Sequence, residues 1–176
     1  WHFIGHLQSN KTRPVAEHFD WVHSVDSLKL ARRLDRFAGE IGQRLPILLE
    51  CNVSQEASKF GWPAWDEARW PELAGEIAPL LDFSNLELRG LMTIGRREGS
   101  AADCHRAFSQ LRELRDACAI RFGDCLIREL SMGMSGDFEI AVAEGSTMVR
   151  VGSAIFGERP LRGEHSCTTI DCTNTE

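Results

Sequence analysis

Six short apolar runs, each followed by a stretch with helical spacing, partition the chain from His2 to Val151, and no run of consecutive hairpins interrupts them. This alternation constrains the fold most, because strand–helix–strand units repeated in series build a parallel sheet. The strand-like runs are HFIGHL (2–7), WVHSV (21–25), PILLECNV (46–53), LELRGLMTI (86–94), CLIRELS (125–131) and STMVRV (146–151). The first helix reaches Ala16–Phe19 and is expected to take Ser9 or Asn10 as its cap. Asp26 or Ser27 caps the second, whose stripe is Leu30, Ala31, Leu34, Phe37, Ala38 and Ile41. Segment 54–70 reads as irregular, with Gly61, Pro63 and three of the five tryptophans. Pro71 suits the first turn of a third helix carrying Leu73, Ala74, Ile77, Leu80 and Leu81. Cys104, Ala107, Phe108, Leu111, Leu114 and Cys118 line a fourth, and Asp137–Glu144 forms a short fifth stopped by Gly145.

Two architectures use such units: a doubly wound open sheet and a (β/α)8 barrel. No GxGxxG turn follows any run, which lowers the dinucleotide-binding option. A barrel needs eight strands, so the fold expected is an α/β (β/α)8 TIM barrel represented by about its last six β/α units. Fold-unit arithmetic then puts about 80 residues of barrel before Trp1. Residues 1–159 form this partial barrel, and 160–176, which show neither period, are expected to be a disordered tail. The balance of 20 basic against 26 acidic residues, a net charge of -6, argues against a general nucleic-acid or anionic-membrane binder. No apolar run approaches the roughly 18 residues of a membrane span, and no signal-peptide pattern opens the chain. The six cysteines show no CxxC pair or zinc-type spacing, and the Cys167–Cys172 pair with His165 sits in the polar tail. Reduced thiols and a cytoplasmic location are expected.

If the runs are the last six of a barrel, CLIRELS is strand seven and STMVRV strand eight, and the loops after these two often bind phosphate. After strand seven comes Ser131-Met132-Gly133-Met134-Ser135-Gly136-Asp137; after strand eight, Gly152-Ser153-Ala154. Small and hydroxyl-bearing residues opening a helix offer free N–H groups to an anion, although Ser, Gly and Asp also serve as ordinary turn and cap residues. Arg150 interrupts an apolar strand, where a charge is costly unless it meets a structural ion pair or a ligand.

WHFIGHLQSNK (1–11), RGLMTIG (89–95) and SMGMSGDFEIAVAEGSTMVRVGSAIFGER (131–159) resemble the YggS/PROSC family of pyridoxal-phosphate homeostasis proteins. The resemblance spans about residues 1–159. It implies the barrel domain of alanine racemase (fold type III), pyridoxal 5'-phosphate as cofactor, no established turnover, and a role in cofactor homeostasis affecting amino-acid and keto-acid balance. It further implies a single-domain monomer whose partners are cofactor-dependent client enzymes. Residue by residue, Arg150 matches the arginine that bonds the pyridine nitrogen. Gly152 and Ser153, joined by Ser131 and Ser135, match the phosphate contacts, and Met92 and His2 are secondary candidates around the ring. The family's Schiff-base lysine lies in a VSKTK-like segment of its first strand, and its second strand carries FGEN; neither segment occurs here. The three lysines are Lys11 near the first helix, Lys29 within the second, and Lys59 in NVSQEASKFG, none at the family position. The expectation for this chain is noncovalent binding at best.

Two other readings compete with this one. A fold-type III racemase or decarboxylase would need a second β-domain that supplies a catalytic tyrosine, and this chain contains no tyrosine. A phosphate-binding barrel enzyme would use His2, His6 or Glu50 as general base.

Overall fold

The computed structural model describes residues 1–56, 59–95, 99–123 and 127–157. Seven parallel strands are present among them: β1 (His2–Phe3), β2 (Trp21–Val25), β3 (Leu45–Asn52), β4 (Trp62–Pro63), β5 (Leu86–Met92), β6 (Glu129–Met134) and β7 (Met148–Arg150). The sheet runs β1-β2-β3-β5-β6-β7, with β4 pairing only the end of β3. The order increases steadily from one edge to the other. A doubly wound sheet reverses direction at a switch point, so this order excludes it and matches successive units of a barrel wall.

The sheet is also curled. The strands β2 and β6 are three steps apart, about 14 Å in a flat sheet. Yet His23 Nδ1 on β2 lies 2.9 Å from Ser131 Oγ on β6. Only a wall bent into part of a cylinder brings those side chains together. The expected partial barrel is therefore the architecture observed, with β1 and β7 as its two edges.

Helices α1 (Thr12–His18), α2 (Leu28–Glu40), α3 (Trp70–Ile77), α4 (Ala101–Phe122), α5 (Phe138–Ala143) and α6 (Ser153–Phe156) join the strands. Period-two alternation on β3 sends Ile47, Leu49 and Cys51 toward the helices, where they join Leu34, Phe108, Leu111 and Leu114 in one buried cluster. Leu48, Glu50 and Asn52 take the opposite, concave face. Ser27 caps α2 by accepting from the Leu30 N–H at 3.3 Å, and Ser100 with Asp103 forms a reciprocal capping box on α4.

Several expectations shift. Neither Ser9 nor Asn10 caps a helix; they begin a 3-10 turn that leads into α1 without a side-chain cap. Ile41 lies just past α2, and Leu81 is partly exposed in a 3-10 turn after α3. Segment 54–70 contains β4, held where the buried Trp62 indole donates to the Val25 carbonyl at 3.1 Å. The strand expected at the fifth apolar run lies later than that run: β6 starts at Glu129 and continues to Met134, so Ser131 to Met134 are strand residues and not a loop. Leu130 drives that register, being fully buried against the helix layer while its neighbours turn inward. The last strand narrows to Met148–Arg150. The readings placed on Cys125, His165, Cys167, Cys172 and the 160–176 tail lie outside the described residues.

Candidate functional site

The carboxyl ends of β6 and β7 and the start of β1 enclose a cleft of about 800 Å³, lined in part by His2, His23, Ser135, Arg150, Gly152 and Ser153. Its geometry begins with Gly133. That residue holds φ +94°, and a Cβ there would lie 2.6 Å from the Ala141 Cβ and 3.0 Å from the Phe138 Cα. Only glycine lets β6 end so tightly under α5. The chain then turns, with Asp137 Oδ1 accepting from the Met134 N–H at 2.6 Å, and presents Ser135 to the cleft.

Ser135 Oγ accepts the backbone N–H groups of Gly152 at 3.1 Å and Ala154 at 3.2 Å. Two amides from the β7–α6 junction thus converge on one oxygen. That is the arrangement by which backbone donors receive an anionic oxygen, and the serine hydroxyl occupies the place such an oxygen would take.

Arg150 sits at the end of β7 and forms no ion pair among the described residues. Its Nη1 donates to Ser131 O at 2.8 Å and Ser131 Oγ at 2.7 Å, and its Nη2 donates to Thr93 O at 2.8 Å. A guanidinium has five N–H donors; those on Nε and the second on Nη2 have no protein partner among the described residues, and the side chain lines the cleft. Burial lowers its pKa, while Asp137 and Glu50 oppose that shift. The guanidinium remains charged.

Ser131 continues inward to His23, and His23 Nε2 lies 2.9 Å from His2 Nδ1. The His2 ring stacks on Trp21 at 5.3 Å. Burial, then the neighbouring His2 and Arg150, push the His23 pKa down to about 4. Glu50, on the same concave wall, is 8% exposed, and its Oε2 is buried with no hydrogen-bond partner among the described residues. Its pKa is raised, first by burial and then by Asp26.

Of the residues singled out from sequence, the structure brings Ser135, Arg150, Gly152 and Ser153 to one cleft. Ser131 stands apart from the Ser135–Gly152 junction: it is fully buried in β6, beneath Arg150, because the strand extends farther than its apolar run. Met92 is likewise fully buried and paired in register with Glu50 and Ser131, while His2 does reach the cleft. His2, His6 and Glu50 form no common bonded group; His6 stacks on Phe60 at 3.9 Å and faces Asp26. Ala154 belongs to the small-residue loop expected after the last strand, whereas the sequence does not single out His23 or Thr93 as site residues. For His23 the signal was present, since it interrupts an apolar strand as Arg150 does.

The alanine racemase N-terminal domain model matches residues 1–160. The chain belongs to that family. Within it, the chain is 49% identical over 159 residues to the pyridoxal phosphate homeostasis protein of Pseudomonas aeruginosa, covering 90% of this chain and 64% of the relative. The protein of the same name from Escherichia coli K12 is 47% identical over 161 residues, again covering 90% of this chain and 64% of the relative. The chain thus spans just under two thirds of the length of these curated relatives. Among solved structures, PipY of Synechococcus elongatus with PLP bound superposes with a TM-score of 0.78 at 41% identity, covering 89% of this chain and 70% of that one. Alanine racemase of Clostridium difficile 630, in complex with cycloserine, shares the fold at a TM-score of 0.67 and 18% identity, over 89% of this chain and 41% of that one.

The superposition on PipY over 89% of this chain agrees with the partial barrel wall described above. Among the described residues, no helix is long and apolar enough to cross a membrane.

Proposed function

We propose that this chain binds pyridoxal 5'-phosphate noncovalently in the β6–β7 cleft, and that the protein serves pyridoxal phosphate homeostasis in the cytoplasm without turning over a substrate. The convergence of the Gly152 and Ala154 amides on one oxygen, beside two unused Arg150 donors, carries this reading. The phosphate would displace the Ser135 hydroxyl from those amides and take Ser135 and Ser153 as further donors. Arg150 would meet the pyridine nitrogen, and Ser131 would act beneath it as a support for the guanidinium. When bound, the cofactor supplies an aldehyde and an electron-withdrawing ring. A donor-only guanidinium leaves the ring nitrogen unprotonated, which weakens it as an electron sink and suits holding over catalysis.

The lysines support noncovalent attachment. Lys59 is ion-paired with Glu56 and donates to Ser54 Oγ at 3.0 Å and to the Ile94 and Gly95 carbonyls at 3.1 Å. Lys11 and Lys29 lie on the outer helical layer, away from the cleft. The naming of the relatives favours homeostasis with cofactor-dependent client enzymes as partners, and the monomeric state follows the same reading. The buried free thiols of Cys51, Cys104 and Cys118 suit a reducing compartment.

Calorimetric titration of the folded chain tests the site. Pyridoxal 5'-phosphate should bind one-to-one in competition with inorganic phosphate. Arg150→Leu should weaken the cofactor about tenfold, the worth of one charge-assisted hydrogen bond, and leave inorganic phosphate affinity within twofold. Absence of cofactor binding, or equal losses for both ligands, sinks the assignment; racemase or decarboxylase turnover would favour an enzyme instead.

A further inference from the structure

The polar chain that crosses the concave face has a direction, and its direction gives His23 a task. Arg150 donates to Ser131 Oγ at 2.7 Å, so that oxygen is an acceptor on one side. Ser131 is fully buried, and an unused buried hydroxyl proton is costly. The acceptor available to it among the described residues is His23 Nδ1, at 2.9 Å. Nδ1 therefore carries no proton. A neutral imidazole then holds its proton on Nε2, which faces His2 Nδ1 at 2.9 Å, and the His2 ring must in turn be protonated on Nε2. The bonds run one way: Arg150 to Ser131, Ser131 to His23, His23 to His2.

We propose that His23 is a positioning residue for Arg150, and that it acts by accepting the Ser131 hydroxyl proton. With that proton drawn inward, a lone pair of Ser131 Oγ faces the guanidinium and engages one Nη1 hydrogen while Ser131 O engages the other. Thr93 O holds Nη2 from the neighbouring strand. Three contacts, two from β6 and one from Thr93 just past the end of β5, define the guanidinium plane and aim its Nε edge at the cleft. Without the acceptor at His23 Nδ1, the hydroxyl rotates and competes as a donor, and Arg150 keeps only two carbonyl contacts. His2 completes the chain at the cleft wall and fixes the His23 tautomer. Both His rings therefore belong to the support of Arg150 and take no part in general-base chemistry.

The inference rests on the cofactor reading for its consequence, and on the unliganded protein for its geometry, so the two are tested separately. In the free chain, side-chain 15N spectra should show His23 with a bare Nδ1 and a protonated Nε2. The Arg150 Nη resonances should be resolved by slow rotation. An Asn amide occupies the place of Nδ1 and a Gln amide that of Nε2. His23→Asn should thus keep the resolved Arg150 signals, whereas His23→Gln, His23→Leu and Ser131→Ala should merge them. With ligand, the wild type should prefer pyridoxal 5'-phosphate over its 1-deaza analogue about tenfold. His23→Asn should retain that preference within twofold, and the other three should drop it to about onefold, with inorganic phosphate affinity steady throughout. A protonated Nδ1 on His23, or retention by Gln and loss by Asn, overturns the proposal. If the wild type binds neither pyridoxal compound, the cofactor reading falls, and the nitrogen spectra still decide the role of His23.

Discussion

The units β2–α2–β3 and β6–α5–β7 are built on one plan, yet they divide the work of the molecule. In the first, Val22, Leu34, Ile47 and Leu49 are fully buried, α2 carries a side-chain cap, and its long amphipathic helix covers the sheet. In the second, β7 has three residues, α5 has six, and the strand ends are tied by Gly133, Ser135, Asp137 and Arg150. One unit is held by apolar area, which tolerates local change and costs free energy when area is lost. The other is held by directional bonds and close backbone approach. Stability and the proposed binding are therefore assigned to different ends of the same curved wall, joined through His23, which starts in the first unit and ends beneath Arg150 of the second.

The largest effect expected from breaking this division is Leu34→Ala, which should cost about 2–5 kcal/mol in urea denaturation. Cofactor affinity per folded molecule should stay unchanged, because Leu34 faces the helix layer; a fall in affinity would mean the two ends are not separable. Next, Gly133→Ala should cost about 2–4 kcal/mol, from a left-handed φ combined with overpacking against Ala141 and Phe138. Gly42, at φ +68° with open space around it, supplies the contrast. Its alanine variant should lose only about 1 kcal/mol. Equal costs at the two glycines would erase the distinction between a turn and a close approach.

A further effect, absent at neutral pH, is tied to acidification. His23 has a pKa of about 4 in the folded protein against about 6.5 when unfolded. The unfolded chain therefore takes up the proton first. The stability linked to a neutral His23 is complete above pH 6.5 and falls as pH drops toward 4. Measured against His23→Asn, which removes this titration and leaves Glu50 in place, the wild type should lose up to about 3 kcal/mol across that window. A difference independent of pH would show that His23 does not titrate as a buried neutral ring.

How far these features were legible in the sequence follows the same division. WVHSV corresponds to β2 without adjustment, and the stripe from Leu30 to Ala38 is the buried face of α2, because burial of apolar side chains sets both periods. CLIRELS misplaced β6 because the strand continues through Ser131-Met132-Gly133-Met134, whose mixed polarity reads as a loop. Polarity inside a curled sheet is satisfied by partners across the barrel, and those partners are far apart in sequence: His23 and Ser131 are separated by 108 residues. Arg150 was visible as a costly charge in an apolar strand. Its bonds to Ser131 and Thr93 were not.

By itself the sequence determined the β/α repeat, its parallel sheet, the resemblance to a cofactor-binding family, and the small residues that end the last two strands. Local periodicity and short-range chemistry carry all of these. Only the tertiary structure decided which polar side chains meet, that Ser131 supports Arg150 and stands apart from the Gly152 junction, and that two amides converge on one oxygen. Those contacts depend on curvature, and curvature is a property of the whole wall: its twist, its β5 irregularity and the packing of every helix outside it.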